Sequence, residues 1–202
     1  MADASGIRGG LDHLATRQIV SPDGTTIRIE PVTSRGLLWL RVRPDDAAVT
    51  GAIASVLGAP LPSIPNTTAR LADGRLCWLG PDEWLVDIAG ERADQLLASL
   101  HTATRGRLAL IVAIGDGRAC LSVTGTAAID VLRKGCPLDL HPSAFARDAC
   151  ARTVLGRVGV FIVCIEPGAA YHVVVDRSYA DPLWHWLAEA ARELTGRRAA
   201  GT

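Results

Sequence analysis

Gly36-Leu37-Leu38-Trp39-Leu40-Arg41-Val42-Arg43-Pro44-Asp45-Asp46-Ala47-Ala48-Val49-Thr50-Gly51-Ala52-Ile53-Ala54-Ser55-Val56-Leu57-Gly58 is the stretch on which the fold turns. Gly36 to Val42 is strongly apolar and predicts a strand. Pro44-Asp45 signals a helix start, and Val49, Ile53, Val56 and Leu57 fall on one face at helical spacing before Gly58 stops it. Past this β-then-α unit, the proline-rich stretch Ala59 to Pro65 predicts a loop. Arg75 to Leu79 and Glu83 to Ile88 predict two short strands joined by the tight turn Gly80-Pro81-Asp82. Ala93, Leu96, Leu97 and Leu100 mark a second amphipathic helix, and Leu108 to Ile114 predicts a buried strand. The order is β-α-β-β-α-β, a split ferredoxin-like unit ending near Gly115.

A second round begins at Arg118. Arg118 to Val123 predicts a strand, Thr124 a helix cap, and Ile129 and Leu132 a short helix stopped at Gly135. A loop from Cys136 to Asp148 leads to strands Ala151 to Leu155, Val158 to Ile165 and Tyr171 to Val175. The closing helix runs from Pro182 to Leu194, with Asp181 as N-cap, Pro182 at the first helical position and Gly196 just past the end. The order thus repeats with one extra strand. It predicts a single α+β domain over residues 17–196, built from tandem ferredoxin-like pseudo-repeats at about 36–115 and 116–196. Ahead of this body, Gln18 to Val20 and Thr26 to Val32 predict a hairpin about the turn Ser21-Pro22-Asp23-Gly24. Residues 1–16 read as a flexible arm and 197–202 as a tail.

Composition narrows the function. The chain has 202 residues, is 49% hydrophobic and carries 21 basic against 21 acidic residues, so it can bury a sizeable core. With no sequence-wide field, nucleic acid and anionic membrane are poor partners. Lys134 is the only lysine, a bias that reads as GC-rich codon usage. Five well-separated cysteines and no signal-peptide pattern argue against a disulfide framework and predict reduced, mostly buried thiols. The longest apolar run, Val158 to Ile165, is far below the roughly 20 residues of a membrane span. A cytoplasmic location is expected.

The chemistry-bearing arrangements are missing from the sequence. Gly115 and Gly117 lack the third glycine of a dinucleotide turn, and Gly156 and Gly159 fit a hairpin better. Cys136 and His141 are an isolated pair rather than a metal-ligand set. The five histidines, His13, His101, His141, His172 and His185, scatter over unrelated elements, and Asp45-Asp46 and Asp82-Glu83 fit capping and turn roles. No catalytic, cofactor-binding or metal residue is assigned.

Large apolar side chains stand out instead. Trp78 and Trp84 flank the turn at Gly80-Pro81. Trp184 and Trp186 lie about 200° apart around a helix, so they cannot share one core. Leu183, Leu187, Ala190, Ala191 and Leu194 form the inward face, with Trp184 on one flank and Trp186 on the other, beside Glu193; Trp186 is either an uncovered interface anchor or is covered by a strand or the Cys136 to Asp148 loop. The interface candidates are therefore Trp186 and, in the long connection, Cys136, Pro137, Leu138, Leu140 and His141.

Three segments resemble the gamma subunit of heterotetrameric sarcosine oxidase. They are Leu79-Gly80-Pro81-Asp82-Glu83-Trp84-Leu85-Val86; Lys134-Gly135-Cys136-Pro137-Leu138-Asp139-Leu140-His141-Pro142 leading to Cys150-Ala151-Arg152-Thr153; and Arg177-Ser178-Tyr179-Ala180-Asp181-Pro182-Leu183-Trp184-His185-Trp186-Leu187. The Gly-Pro-Asp-Glu-Trp turn is also similar to folate-binding aminomethyltransferase domains. This resemblance implies a non-catalytic subunit with an aminomethyltransferase-like fold and no cofactor of its own. It implies alpha, beta and delta partners carrying FAD, FMN, NAD, tetrahydrofolate and zinc. The complete enzyme would demethylate sarcosine oxidatively to glycine, with formaldehyde or 5,10-methylenetetrahydrofolate and hydrogen peroxide as further products. Two alternatives are a gamma-type subunit of a related N-methyl amino-acid dehydrogenase and a free-standing folate-binding aminomethyl transfer domain.

Overall fold

The computed structural model describes residues 14–21 and 24–197. In chain order, β1 (Arg17–Val20) and β2 (Thr26–Pro31) precede β3 (Arg35–Val42) and α1 (Ala47–Leu57). Next come β4 (Thr68–Leu71), β5 (Gly74–Gly80), β6 (Glu83–Ala89), α2 (Ala93–Ala103) and β7 (Ala109–Ala113). The chain continues through β8 (Arg118–Thr124), α3 (Ala128–Arg133), β9 (Cys150–Leu155), β10 (Val158–Glu166), β11 (Ala170–Asp176) and α4 (Ala180–Arg197). No described helix is long and apolar enough to cross a membrane.

Two compact units share the chain. One comprises Ser34–Gly115 with Arg147–Arg152; the other takes the segment up to Thr33, Asp116–Ala146 and the chain from Thr153 on.

In the first unit the sheet order is β4-β5-β6-β3-β7, all antiparallel. Local signals explain the first helix. The Asp46 side chain accepts hydrogen bonds from the N–H groups of Ala48 and Val49 at 3.2 and 3.1 Å, and Gly58 ends the helix in the left-handed region. The face carrying Val49, Ile53 and Leu57 buries against Leu38, Leu40, Leu76, Trp84, Val86 and Ile111 from the sheet, with Leu100 from α2. Arg147–Arg152 returns to this unit: Cys150 N–H donates to Asn66 O at 2.9 Å, and Arg70 pairs with Asp148. The last strand departs from expectation. Leu108 and Leu110 are 80% and 44% exposed rather than buried, because among the described residues β7 is the outermost strand and pairs with β3 alone.

The second unit holds the sheet β1-β2-β8-β11-β10-β9. Here α4 packs on β1, β2 and α3 through Leu183, Leu187, Ala190 and Ala191; the side chain of Leu194 lies outside the described set. Read from opposite edges, the two sheets correspond strand for strand: β4 with β9, β5 with β10, β6 with β11, and β3 with β8. The extra strand therefore belongs to both repeats, and the Thr-Ala-Arg-Leu of β4 is too short to leave a period. The N-terminal hairpin is also not an appendage. β2 pairs with β8 over Arg28↔Thr124 to Pro31↔Leu121 and occupies the position that β7 holds in the first unit.

Three boundaries differ. Thr124 is the last residue of β8, and the residue before α3 that takes the cap position is Ala127, which offers no side-chain bond. Helix α4 starts at Ala180, after a 3-10 turn, so Asp181 and Pro182 lie in its first turn. Gly196 is inside that helix, not past it. Arm residues 1–13, turn residues Pro22 and Asp23, and tail residues 198–202 lie outside the described residues.

Candidate functional site

The loop after α3 is held down by part of the segment expected to face a partner. Cys136 and Leu140 are buried, at 8% and 0% exposure, so they anchor the loop from inside and offer no contact surface. Cys136 Sγ lies 3.9 Å from Thr153 Oγ1, and Tyr171 Oη donates to Leu140 O at 3.4 Å. Phe145 stacks on the Tyr171 ring at 6.5 Å. Pro137 and His141 are exposed and Leu138 is half-buried. An Asx-type bond, Asp139 Oδ1 accepting from His141 N–H at 2.9 Å, shapes the turn between them.

Trp186 is half-buried, as is Trp184, so the expected contrast between a core ring and an uncovered one is absent. The reason lies in two glycines. A Cβ on Gly135 would stand 2.6 Å from the Trp186 ring, and one on Gly156, whose φ is +56°, would stand 2.7 Å from it. Without side chains, these two backbones leave a slot for the indole. Gly135→Ala is expected to cost about 1–3 kcal/mol through overpacking, read as a lower urea midpoint of the isolated chain. An unchanged midpoint would mean that the indole does not occupy this slot. Trp184 packs edge-on against His185, and its buried Nε1 has no hydrogen-bond partner among the described residues.

In the first unit, Trp78 and Trp84 both line a groove of about 610 Å³, with Pro62, Pro81, Thr50 and Ala54. Trp84 is almost fully buried and its Nε1–H donates to Pro62 O at 2.9 Å, tying the proline loop to β6. None of the lining side chains is charged, so the groove suits an apolar group.

On β6 sits a second arrangement. Asp87 is 3% exposed; one carboxylate oxygen accepts from Arg35 Nε at 2.6 Å, and the other lies 3.9 Å from Arg75 Nε. Burial pushes its carboxyl up, and the Arg35 and then the Arg75 charges pull it back only in part. A carboxylate inside the apolar run Trp84-Leu85-Val86-Asp87-Ile88 is the one sequence signal that pointed to it. Cys77 and Cys150 also meet here: burial first, and the neighbouring Cys150 thiol second, push the Cys77 thiol well up. Cys150 Sγ donates to Thr67 O and Trp78 O at 3.4 and 3.5 Å. All five cysteines are buried free thiols, and burial of this kind makes a thiol a packing group rather than a nucleophile.

The described histidines sit on separate elements. His101 Nε2 bonds Ile111 O at 2.8 Å and His141 Nδ1 bonds Ser143 Oγ at 2.7 Å, while His13 lies outside the described residues. Among the described residues no three His, Cys, Asp or Glu side chains converge as a metal site would require.

Comparison with known proteins places this architecture. The family model described as sarcosine oxidase, gamma subunit family matches residues 41–193. Sarcosine oxidase subunit gamma from Corynebacterium sp. (strain P-1) is 29% identical over 194 residues, covering 96% of this chain and 94% of that one. The subunit of the same name from Arthrobacter sp. is 30% identical over 188 residues, covering 93% and 91%. Among solved structures, heterotetrameric sarcosine oxidase from Corynebacterium sp. U-96, in complex with pyrrole 2-carboxylate, contains a chain that matches with a TM-score of 0.83 and 26% identity. That match covers 93% of this chain and 96% of that one. Aminomethyltransferase T of the glycine cleavage system from Bartonella henselae matches with a TM-score of 0.58 over 79% of this chain and 44% of its own; at 14% identity it shares the fold alone. The family model spans both structural units and the relatives align almost end to end, so the chain belongs to the sarcosine oxidase, gamma subunit family.

Proposed function

We propose that the chain is the gamma subunit of a heterotetrameric sarcosine oxidase in the cytoplasm, with a structural rather than a catalytic role. The observation that carries this reading is the near end-to-end likeness to a chain of a heterotetrameric sarcosine oxidase. Alpha, beta and delta subunits complete the complex and carry FAD, FMN, NAD, tetrahydrofolate and zinc. The complex demethylates sarcosine oxidatively to glycine, releasing formaldehyde or 5,10-methylenetetrahydrofolate and hydrogen peroxide. A non-catalytic role is supported by the state of the side chains that could do chemistry. The thiols are buried, His101 and His141 are engaged in local hydrogen bonds, and Asp87 is enclosed between two arginines.

Co-expression tests this reading. The chain is expected to co-purify with the other subunits in equimolar amount, and its omission to lower their yield as a complex. Purified alone, it is expected to be colourless. Partners that assemble with unchanged stability and turnover without it would overturn the structural role, and a stoichiometric flavin on the isolated chain would overturn the non-catalytic one.

A further inference from the structure

Among the described residues, strand β7 closes the five-stranded sheet and pairs with β3 alone. Ile114 N–H donates to Leu37 O at 2.8 Å. The alternation of an antiparallel ladder then turns the N–H groups of Ala109, Ile111 and Ala113 toward the open edge. Exposed edges are normally blunted by shortness, charge, proline or a bulge. The edge strands β1 and β4 are four residues long, and β4 and β9 carry the ion-paired Arg70 and Arg152. β7 has neither proline nor charge, keeps an unbroken register from Val42↔Ala109 to Leu38↔Ala113, and presents Leu110 at 44% exposure beside Leu108 at 80%.

The repeat itself supplies the geometry of what fits there. β2 is the counterpart of β7, and β1 lies antiparallel along its outer edge. Among the described residues no strand holds that position beside β7. We infer that the outer edge of β7 receives an extended strand of a partner subunit, laid antiparallel along Ala109–Ala113. Its apolar side chains cover Leu108 and Leu110, and a carboxylate reaches Arg105 or Arg107. Charge supports this occupant, because both arginines are exposed and neither has an ion-pair partner among the described residues. Area argues against a second copy of this chain. A five-residue edge is roughly 17 Å long and buries a few hundred Å², whereas a stable dimer needs about 1,200 Å² or more. Such an edge serves a partner already held by further contacts, as a subunit of a larger complex is. The inference rests on the proposed membership of an oxidase complex.

The test uses the full chain assembled with the co-expressed subunits of the proposed oxidase. Leu108→Asp and Ala113→Pro are each expected to weaken assembly at least about thirtyfold, the loss at the threshold of an interface hot spot, with the melting temperature of the isolated chain unchanged. Ile64→Asp alters another exposed apolar side chain, at 67% exposure, and is expected to leave assembly intact. Independently of any variant, hydrogen exchange of the Ala109, Ile111 and Ala113 amides is expected to be fast in the isolated chain and slow in the complex. Wild-type assembly by both variants, or equal exchange in the two states, overturns the edge alone. Slow exchange already present in the isolated chain shows that the edge is covered by this chain itself or by a second copy, and also overturns it. Failure of the unaltered chain to assemble at all overturns the functional reading and this inference together.

Discussion

Replacing Arg35 by methionine is expected to destabilise the isolated chain by about 3 kcal/mol at neutral pH, because removing one partner of a buried pair leaves a charge uncompensated. The Arg35 and Asp87 side chains are 22% and 4% exposed, so solvent screens the pair little. Arg75, at 3.9 Å, softens the loss without replacing the short Arg35 bond, which places the cost at the low end of the usual range. The pH dependence follows from the direction of the shift. In the fold, Asp87 already titrates above its ordinary 3.8, through burial that the arginines only partly offset. A carboxyl raised in the folded state contributes stability that is fully present below its unfolded pKa and is lost as pH rises through the folded value. Removing Arg35 removes the larger part of the compensation and moves that folded value further up. The deficit of Arg35→Met should therefore be greatest at neutral pH and shrink as pH falls toward the carboxylate range. Urea unfolding at several pH values, with Asp87→Asn in a double-mutant cycle, measures both; a pH-independent deficit or strictly additive variants would remove the pair from the account.

Trp84→Ala should have an effect of similar or greater size, about 3–5 kcal/mol, the usual loss for truncating a core aromatic. The indole is 2% exposed and packs in the same core as Leu40, Val49, Ile53 and Ile111. Its Nε1 also donates to Pro62 O, so truncation frees the proline loop as well as opening a cavity. Trp84→Phe separates the two contributions. It keeps most of the buried ring but leaves the Pro62 carbonyl without its donor, and should cost about 1–2 kcal/mol. If Phe and Ala prove equally damaging, the hydrogen bond rather than the packing dominates. If neither moves the urea midpoint, this core is not what holds the first unit together.

Much of the fold was written locally. The helical spacing of Val49, Ile53 and Leu57, bounded by an acidic cap and by Gly58, is enough to define α1. The two short apolar runs within Arg75–Ile88, joined by Gly80-Pro81-Asp82, likewise define the β5–β6 hairpin. The gamma-subunit resemblance rested on contiguous motifs for the same reason, since each is a short run of neighbours. Four-residue β4 escaped because Thr68–Leu71 is too brief to show a period. The pairing of β2 with β8 escaped because strand partners distant in sequence are chosen by the sheet and not by the residues between them.

The same division runs through the candidate sites. Which side chains in 136–141 turn inward could not be read from the segment itself. Leu138 and Leu140 are the same residue type two positions apart, yet only Leu140 is fully buried, with its carbonyl accepting from the Tyr171 hydroxyl. Helical geometry put Trp186 on the flank of α4, but its cover comes from Gly135 and Gly156, which only folding brings together. Arg35 and Asp87 meet across 52 positions of sequence, and β7 is an edge because no further strand among the described residues joins that sheet. The sequence by itself determined the periodicities, the caps, the turns, the balanced charge and the family motifs, because these depend on neighbours along the chain. The tertiary structure alone decided strand order, which apolar groups are covered, and which charges are buried together, because those depend on contacts between segments whose separation the local chain does not encode.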